Sequence, residues 1–152
     1  MFKRVLLCYD GTEAGRRALR RGAELSIVLG AHVSVLSIVT DAGNAAVLAG
    51  AAGQACIVDE PAQSRMLLSE SIEWLKARGL SAEGFLTSGD YLDQIIAFSN
   101  RLNIDLIVLG HYPRPTGGSW WSASKRASLA DRVKCCIFVA VNAADDPASV
   151  PK

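Results

Sequence analysis

The chain has 152 residues, half of them hydrophobic, enough for one domain with a sizeable core. Sixteen basic against fifteen acidic residues leave a net charge of +1, which gives no reason to expect nucleic acid or an acidic membrane surface as partner. Cys8, Cys56, Cys135 and Cys136 show neither C-x-x-C spacing nor a histidine cluster, so no metal site and no disulfide framework is indicated; Cys8 and Cys136 read as small core residues.

Val5 to Tyr9 is the first apolar run and reads as a strand. At five residues it is too short for a secretory h-region or a membrane span, which makes the cytoplasm the expected compartment. Asp10-Gly11-Thr12 follows, a turn that also starts a helix. In that helix Ala14, Ala18, Gly22, Leu25 and Leu29 share one face, Arg16, Arg17, Arg20 and Arg21 lie mostly elsewhere, and Gly30 terminates it. His32 to Val39 is rich in β-branched residues and predicts a buried second strand. Between Thr40 and Glu60 the periodicity fails in an Ala- and Gly-rich stretch, read as a loop with a short helical turn around Ala45 to Leu48.

Pro61 suits the first turn of a second helix, whose Met66, Leu67, Ile72, Trp74 and Leu75 lead to a terminating Gly79. Glu83 to Thr87 is a weak third strand, Asp90 an N-cap, and Leu92, Ile95, Ile96 and Leu102 the buried stripe of a third helix. Leu106 to Leu109 lacks polar alternation, as a strand covered on both faces should. A last helix is predicted from about Lys125 to Val133, then a fifth strand, Ile137 to Val141. Residues 1–142 form one domain on this reading, and 143–152 a polar tail expected to be disordered. Five strands joined by helical crossovers predict an α/β fold: a doubly wound five-stranded parallel sheet with helices on both faces, Rossmann-like, with ligands bound beyond the carboxyl ends of the strands where strand order switches. The loops after strands one and four are therefore the candidate site.

The stretch VLLCYDGTEAGRRALRRGAELSIVLGAHVSVLSIV is similar to the opening of the universal stress protein family: strand, Asp-Gly-Ser/Thr turn, Ala-rich helix, second strand. LTSGDYLDQIIAFSNRLNIDLIVLG resembles that family's Gly-Asp helix start and its hydrophobic strand ending in Gly, and ASLADRVKCCIFVAV its closing helix and strand. The resemblance implies a cytoplasmic dimer with an adenine nucleotide alpha hydrolase-like fold, in a family some members of which bind ATP and others not. It places Asp10 on the ribose side of the nucleotide, the Val39 backbone at the adenine, and Gly110, Gly117, Ala127 and Ser128 around the phosphates. Asp10 reads equally well as the cap of the first helix, and Val39 as core packing. Thr12 and Ser128, hydroxyls at expected helix starts, serve as cap, ligand group or both.

Nucleotide binders of the family carry G-x2-G-x9-G-[ST] after strand four, whereas this chain reads G-x6-G-x9-A-S from Gly110 through Gly117 to Ala127-Ser128. Glycines let backbone N–H groups approach phosphate oxygens, and a helix N-terminus adds partial positive charge. Ala127 keeps its amide, but Pro113 and Pro115 remove two donors from the first half of the loop. Arg114, Lys125 and Arg126 are either replacements for the lost attraction or solvated surface charges. His111 reads as a surface residue, and Trp120 and Trp121 as anchors of the loop or a cover for a base.

DGTEAG does not fit the G-x-G-x-x-G of a dinucleotide-binding dehydrogenase. Leu86-Thr87-Ser88-Gly89 lacks the acidic cluster of a receiver domain, and Tyr9-Asp10-Gly11-Thr12 lacks the Ser-Gly-Gly loop of an ATP-pyrophosphatase. With only two histidines, no Ser-His-Asp or Cys-His constellation is assembled from the sequence, and no catalytic residue is expected. The expectation is weak adenine-nucleotide binding without enzymatic turnover, in stress response or signalling. A dimeric interaction module of the same fold is the alternative, and a slow nucleotide hydrolase a third reading. The apolar strand Ile137 to Val141 predicts a homodimer joined along that edge.

Overall fold

The structure is a computed structural model that describes residues 1–9, 13–39, 60–111 and 123–141. Asp10, Thr12, the turn expected at Ala45 to Leu48, Pro113 to Trp121 with Gly117, and the tail lie outside the described residues. The elements in chain order are β1 (Arg4–Tyr9), α1 (Glu13–Leu29), β2 (His32–Val39), α2 (Glu60–Lys76), β3 (Ala82–Ser88), α3 (Tyr91–Arg101), β4 (Leu106–His111), α4 (Ala123–Arg132) and β5 (Cys136–Val141). All strand pairings are parallel, in the order β3-β2-β1-β4-β5.

That order explains the layers. The chain steps outward from β1 to β3, then returns across the sheet to β4 and β5. With right-handed crossovers, reversing the direction moves the helices to the other face. Val5, Leu7 and Tyr9 of β1 accordingly pack with Leu19, Ala23, Leu68 and Leu75 of α1 and α2. Leu6 and Cys8 point the other way, against Ile95, Phe98 and Leu129 of α3 and α4. The alternation carries both faces of the central strands into the core, which is why they read as unbroken apolar runs.

The buried stripe of α1 is Gly15, Ala18, Leu19, Gly22, Ala23 and Ser26, with Leu25 and Leu29 only half-buried. Ala18 and Gly22 of the predicted face are buried as expected, whereas Leu19, Ala23 and Ser26 take the contact expected of Leu25 and Leu29, because small side chains let the helix lie close to the sheet. A Cβ on Gly22 would stand 2.5 Å from Leu7 Cδ2 and 3.1 Å from Val108 Cγ1. Gly30, at φ +59, ends α1 in the left-handed conformation that its place after the last periodic residue predicts. In α2, Leu68, Ser71 and Leu75 are buried, while Met66, one of the apolar residues that marked the helix, is 57% exposed. Asp90 caps α3 as predicted, its carboxylate accepting from the Asp93 amide at 3.0 Å. Phe98, which the periodicity did not mark, is buried in α3 beside Ile95, and Leu92, Ile96 and Leu102 are half-buried.

Cys8 is a core residue, as expected, and burial raises its thiol pKa far above the ordinary range. Cys136 is not: it is exposed at the start of β5, which among the described residues is an edge strand of the sheet. Phe138 and Val141 of the same strand are exposed as well. Among the described residues, no helix is long and apolar enough to cross a membrane.

Candidate functional site

The first candidate is the carboxyl edge of the sheet between β1 and β4, where the strand order switches. The ladder joining these strands is Val5↔Leu106, Leu6↔Ile107 and Leu7↔Val108. Both strands run two or more residues further, β1 to Tyr9 and β4 to His111, each still paired with its outer neighbour. Losing mutual pairing while keeping outer pairing means that the two strand ends diverge. In a doubly wound sheet the ligand crevice lies at such a switch point, and Gly22 of α1 lies against the last rung, Leu7 and Val108.

Around this crevice the predicted residues take different places. Gly110 is half-buried in β4, opposite Ala140 of β5, and the strand continues one residue past it. Val39 closes β2 with its side chain 8% exposed, and its carbonyl accepts from the Gly89 amide at 3.1 Å. That bond uses one lone pair on the β3 side and leaves the second acceptor position of the oxygen. Asp10, Thr12 and Gly117 fall outside the described residues.

α4 begins at Ala123, so Ala127 and Ser128 occupy its second turn, with Ala127 exposed and Ser128 half-buried. The expectation that Ser128 stands at a helix start is corrected accordingly. The amides that a helix N-terminus directs outward are those of its first turn, here Ala123 to Arg126, because only later residues have a carbonyl one turn back. Ser124, Lys125 and Arg126 thus take the position that the loop pattern gave to Ala127 and Ser128. Leu129, fully buried against β1 and β4, fixes the helix on the α3 side of the sheet.

A residue the sequence reading passed over fastens the opposite edge of the same strand pair. Asp105, just before β4, accepts through Oδ2 from the amides of Lys3 and Arg4, both at 2.9 Å. Its own amide donates to the Arg4 carbonyl at 2.9 Å, and Arg4 Nε donates to the Asn103 carbonyl at 2.8 Å. The two backbone donors hold the Asp105 carboxyl below the ordinary carboxylate range. β1 and β4 are therefore clamped at their amino ends and diverge at their carboxyl ends. Among the described residues no group of three or more His, Cys, Asp or Glu side chains could hold a metal ion.

Strand order and crossovers define the class: a doubly wound α/β protein. The sequence matches the Universal stress protein family over residues 1–140. The chain belongs to that family. Its fold is similar to that of a universal stress protein in complex with cAMP, at 18% identity over 91% of this chain and 97% of that chain, with a TM-score of 0.66. It is also similar to the universal stress protein from Archaeoglobus fulgidus in complex with dAMP, at 15% identity over 91% and 97%, with a TM-score of 0.59. A third is the universal stress protein UspA from Lactobacillus plantarum, at 19% identity over 91% and 97%, with a TM-score of 0.57. No match is found among curated proteins.

Proposed function

We propose that the chain binds an adenine nucleotide, ATP or AMP, in the crevice between β1 and β4 and acts in the cytoplasm in stress response or signalling. The observation that carries the reading is the divergence of β1 and β4 beyond Leu7↔Val108, with the first turn of α4 following β4. Two proteins of the same fold, at 18% and 15% identity, hold cAMP and dAMP. In this proposal Asp10 lies on the ribose side, the Val39 backbone at the base, and Gly110 and Gly117 with the start of α4 at the phosphates. Thr12 serves as cap, ligand group or both, and Ser128 supports α4 from its second turn.

The affinity is expected to be low. Each donor that Pro113 or Pro115 removes forfeits about 1.5 to 3 kcal/mol if the family geometry uses it, whereas a helix dipole supplies about 0.3 to 1 kcal/mol. One such loss weakens binding about tenfold or more. The nucleotide is held rather than turned over, since Asp10 alone is a poor base for water. Calorimetric titration with ATP, ADP and AMP at millimolar concentration tests the reading: heat is expected with at least one, and Gly117→Val should remove it without unfolding the protein. Absence of heat with all three leaves the interaction module, the reading that Pro113 and Pro115 favour.

The same proposal includes a homodimer paired along β5, because Phe138 and Val141 leave an apolar edge exposed. Sedimentation should show a dimer at micromolar concentration, shifted to monomer by Phe138→Asp. Monomer alone in the unsubstituted protein would refute the pairing.

A further inference from the structure

The amino edge of the sheet, at the far end from the crevice, carries an array that nucleotide binding does not use. His32 opens β2, Ser81 precedes β3, and Glu83 follows two residues later, opposite Ser34 in the register of the two strands. His32 Nδ1 lies 2.8 Å from Ser81 Oγ, and Nε2 lies 3.1 Å from Glu83 Oε1. Ser34 Oγ donates to the same carboxylate oxygen at 3.2 Å.

The partners fix the ring's tautomer. A carboxylate offers only acceptor atoms, so Nε2 carries the hydrogen and donates to Glu83. In the neutral ring Nδ1 is then bare and accepts from the Ser81 hydroxyl. This is the protonation pattern of a hydroxyl nucleophile, its base and the group that holds the base, with the two ring nitrogens exchanged relative to serine proteases. Sequence reading missed it because the partners are 49 and 51 residues apart and meet only through strand pairing.

His32 and Ser81 also line a cavity of about 540 Å³. Ile27, Leu29 and Leu80 give it apolar walls, and Lys3 and Arg78 are its cations. Arg78 is held in place, stacked 3.5 Å over Trp74 and donating to the Trp74 carbonyl at 3.2 Å. Apolar walls, a hydroxyl directed at a base, and positive charge nearby suit a carboxylic ester with a short apolar acyl group.

We propose that Ser81 is a nucleophile toward such esters. Ser81 Oγ attacks the acyl carbonyl carbon while its proton passes to His32 Nδ1. The bond from that carbon to the alcohol oxygen breaks, and the alcohol leaves with the proton, forming an ester on Ser81. Water then attacks that ester, again giving a proton to Nδ1. The proton returns to Ser81 Oγ as the carboxylic acid departs. Glu83 is a positioning residue that holds the ring through Nε2. The side chains of His32 and Glu83 are 39% and 48% exposed, so water screens the array and turnover is slow.

The test uses the full chain, a fluorophosphonate and p-nitrophenyl butyrate. One phosphonyl group per chain is expected, mapped by mass spectrometry to Ser81, with a burst of p-nitrophenolate of the same stoichiometry. Ser81→Ala should abolish both, and His32→Gln should slow labelling by roughly 10²-fold, the lower range for a general base. Glu83→Gln should slow it less, and Glu83→Asp should recover part of the rate, which a merely structural carboxylate would not do. No adduct, an adduct on another residue, or a rate unchanged in His32→Gln would overturn the proposal. Since labelling of the unsubstituted protein is itself decisive, a variant that fails to fold does not remove the test.

Discussion

The two ends of the β1–β4 strand pair differ in how they are held. At the amino end, Asp105 ties both strands together through two backbone amides at 2.9 Å, and His32, Ser81 and Glu83 bridge β2 to β3. At the carboxyl end the β1–β4 ladder stops at Leu7↔Val108, although β1 runs on to Tyr9 and β4 to His111. A doubly wound sheet needs this asymmetry: one end clamped so that the strands keep register, the other open so that a ligand can enter between them. In the proposed nucleotide site, the walls are thus kept in register by residues at the opposite edge, Asp105 first among them.

Filling the space under the last rung is expected to have the largest effect. Gly22→Val places a branched side chain where one added carbon already meets Leu7 at 2.5 Å, so α1 must lift from the strand pair. Overpacking of this kind costs about 1 to 3 kcal/mol, and we expect about 2 or more, read as a lowered urea midpoint. An unchanged midpoint would mean that α1 is not what backs the crevice.

Loosening the clamp comes next. Asp105→Ala should lower stability by about 1 to 2 kcal/mol at neutral pH, a modest figure for two charge-assisted bonds because water reaches them. The sign of its pH dependence follows from the lowered pKa. The ionised carboxylate favours the folded state, so the contribution is complete above the unfolded pKa of about 3.9 and is lost as pH falls through the folded value. The gap between wild type and variant should therefore narrow below about pH 4 in acid unfolding. A gap that widened in acid would break the clamp account.

Asp90 provides the smallest contrast, a side chain–backbone bond at the carboxyl end of β3. Asp90→Ala removes the cap on the Asp93 amide and should cost about 1 kcal/mol, measured by thermal unfolding. The loss should be independent of the Asp105 substitution, because the two sites share no partner.

The contrast between the ends also describes what the sequence made legible. Five strands, four helices and the Asp90 cap follow from periodicity and turn chemistry, which are local. Ala18 and Gly22 were placed on the buried face of α1, but Gly15, Ala23 and Ser26 were left off it because they carry little hydrophobicity, yet their smallness sets the distance to the sheet. Cys136 read as core because an apolar strand looks alike at an edge and at the centre. The start of α4 was set about two residues late, behind a loop whose pattern could be judged only by family resemblance. Asp105 and the Ser81–His32–Glu83 array were invisible because strand pairing, not sequence proximity, brings their partners together.

Backbone amide NMR of the ¹⁵N-labelled chain, titrated in turn with AMP, ADP and ATP, tests the central claim most directly because it reads both ends at once. Shifts are predicted at Val39, Gly110 and the first turn of α4, Ser124 to Arg126, while His32, Ser81 and Asp105 stay fixed. No shifts with AMP, ADP or ATP at millimolar concentration, or shifts confined to the amino edge, would contradict it.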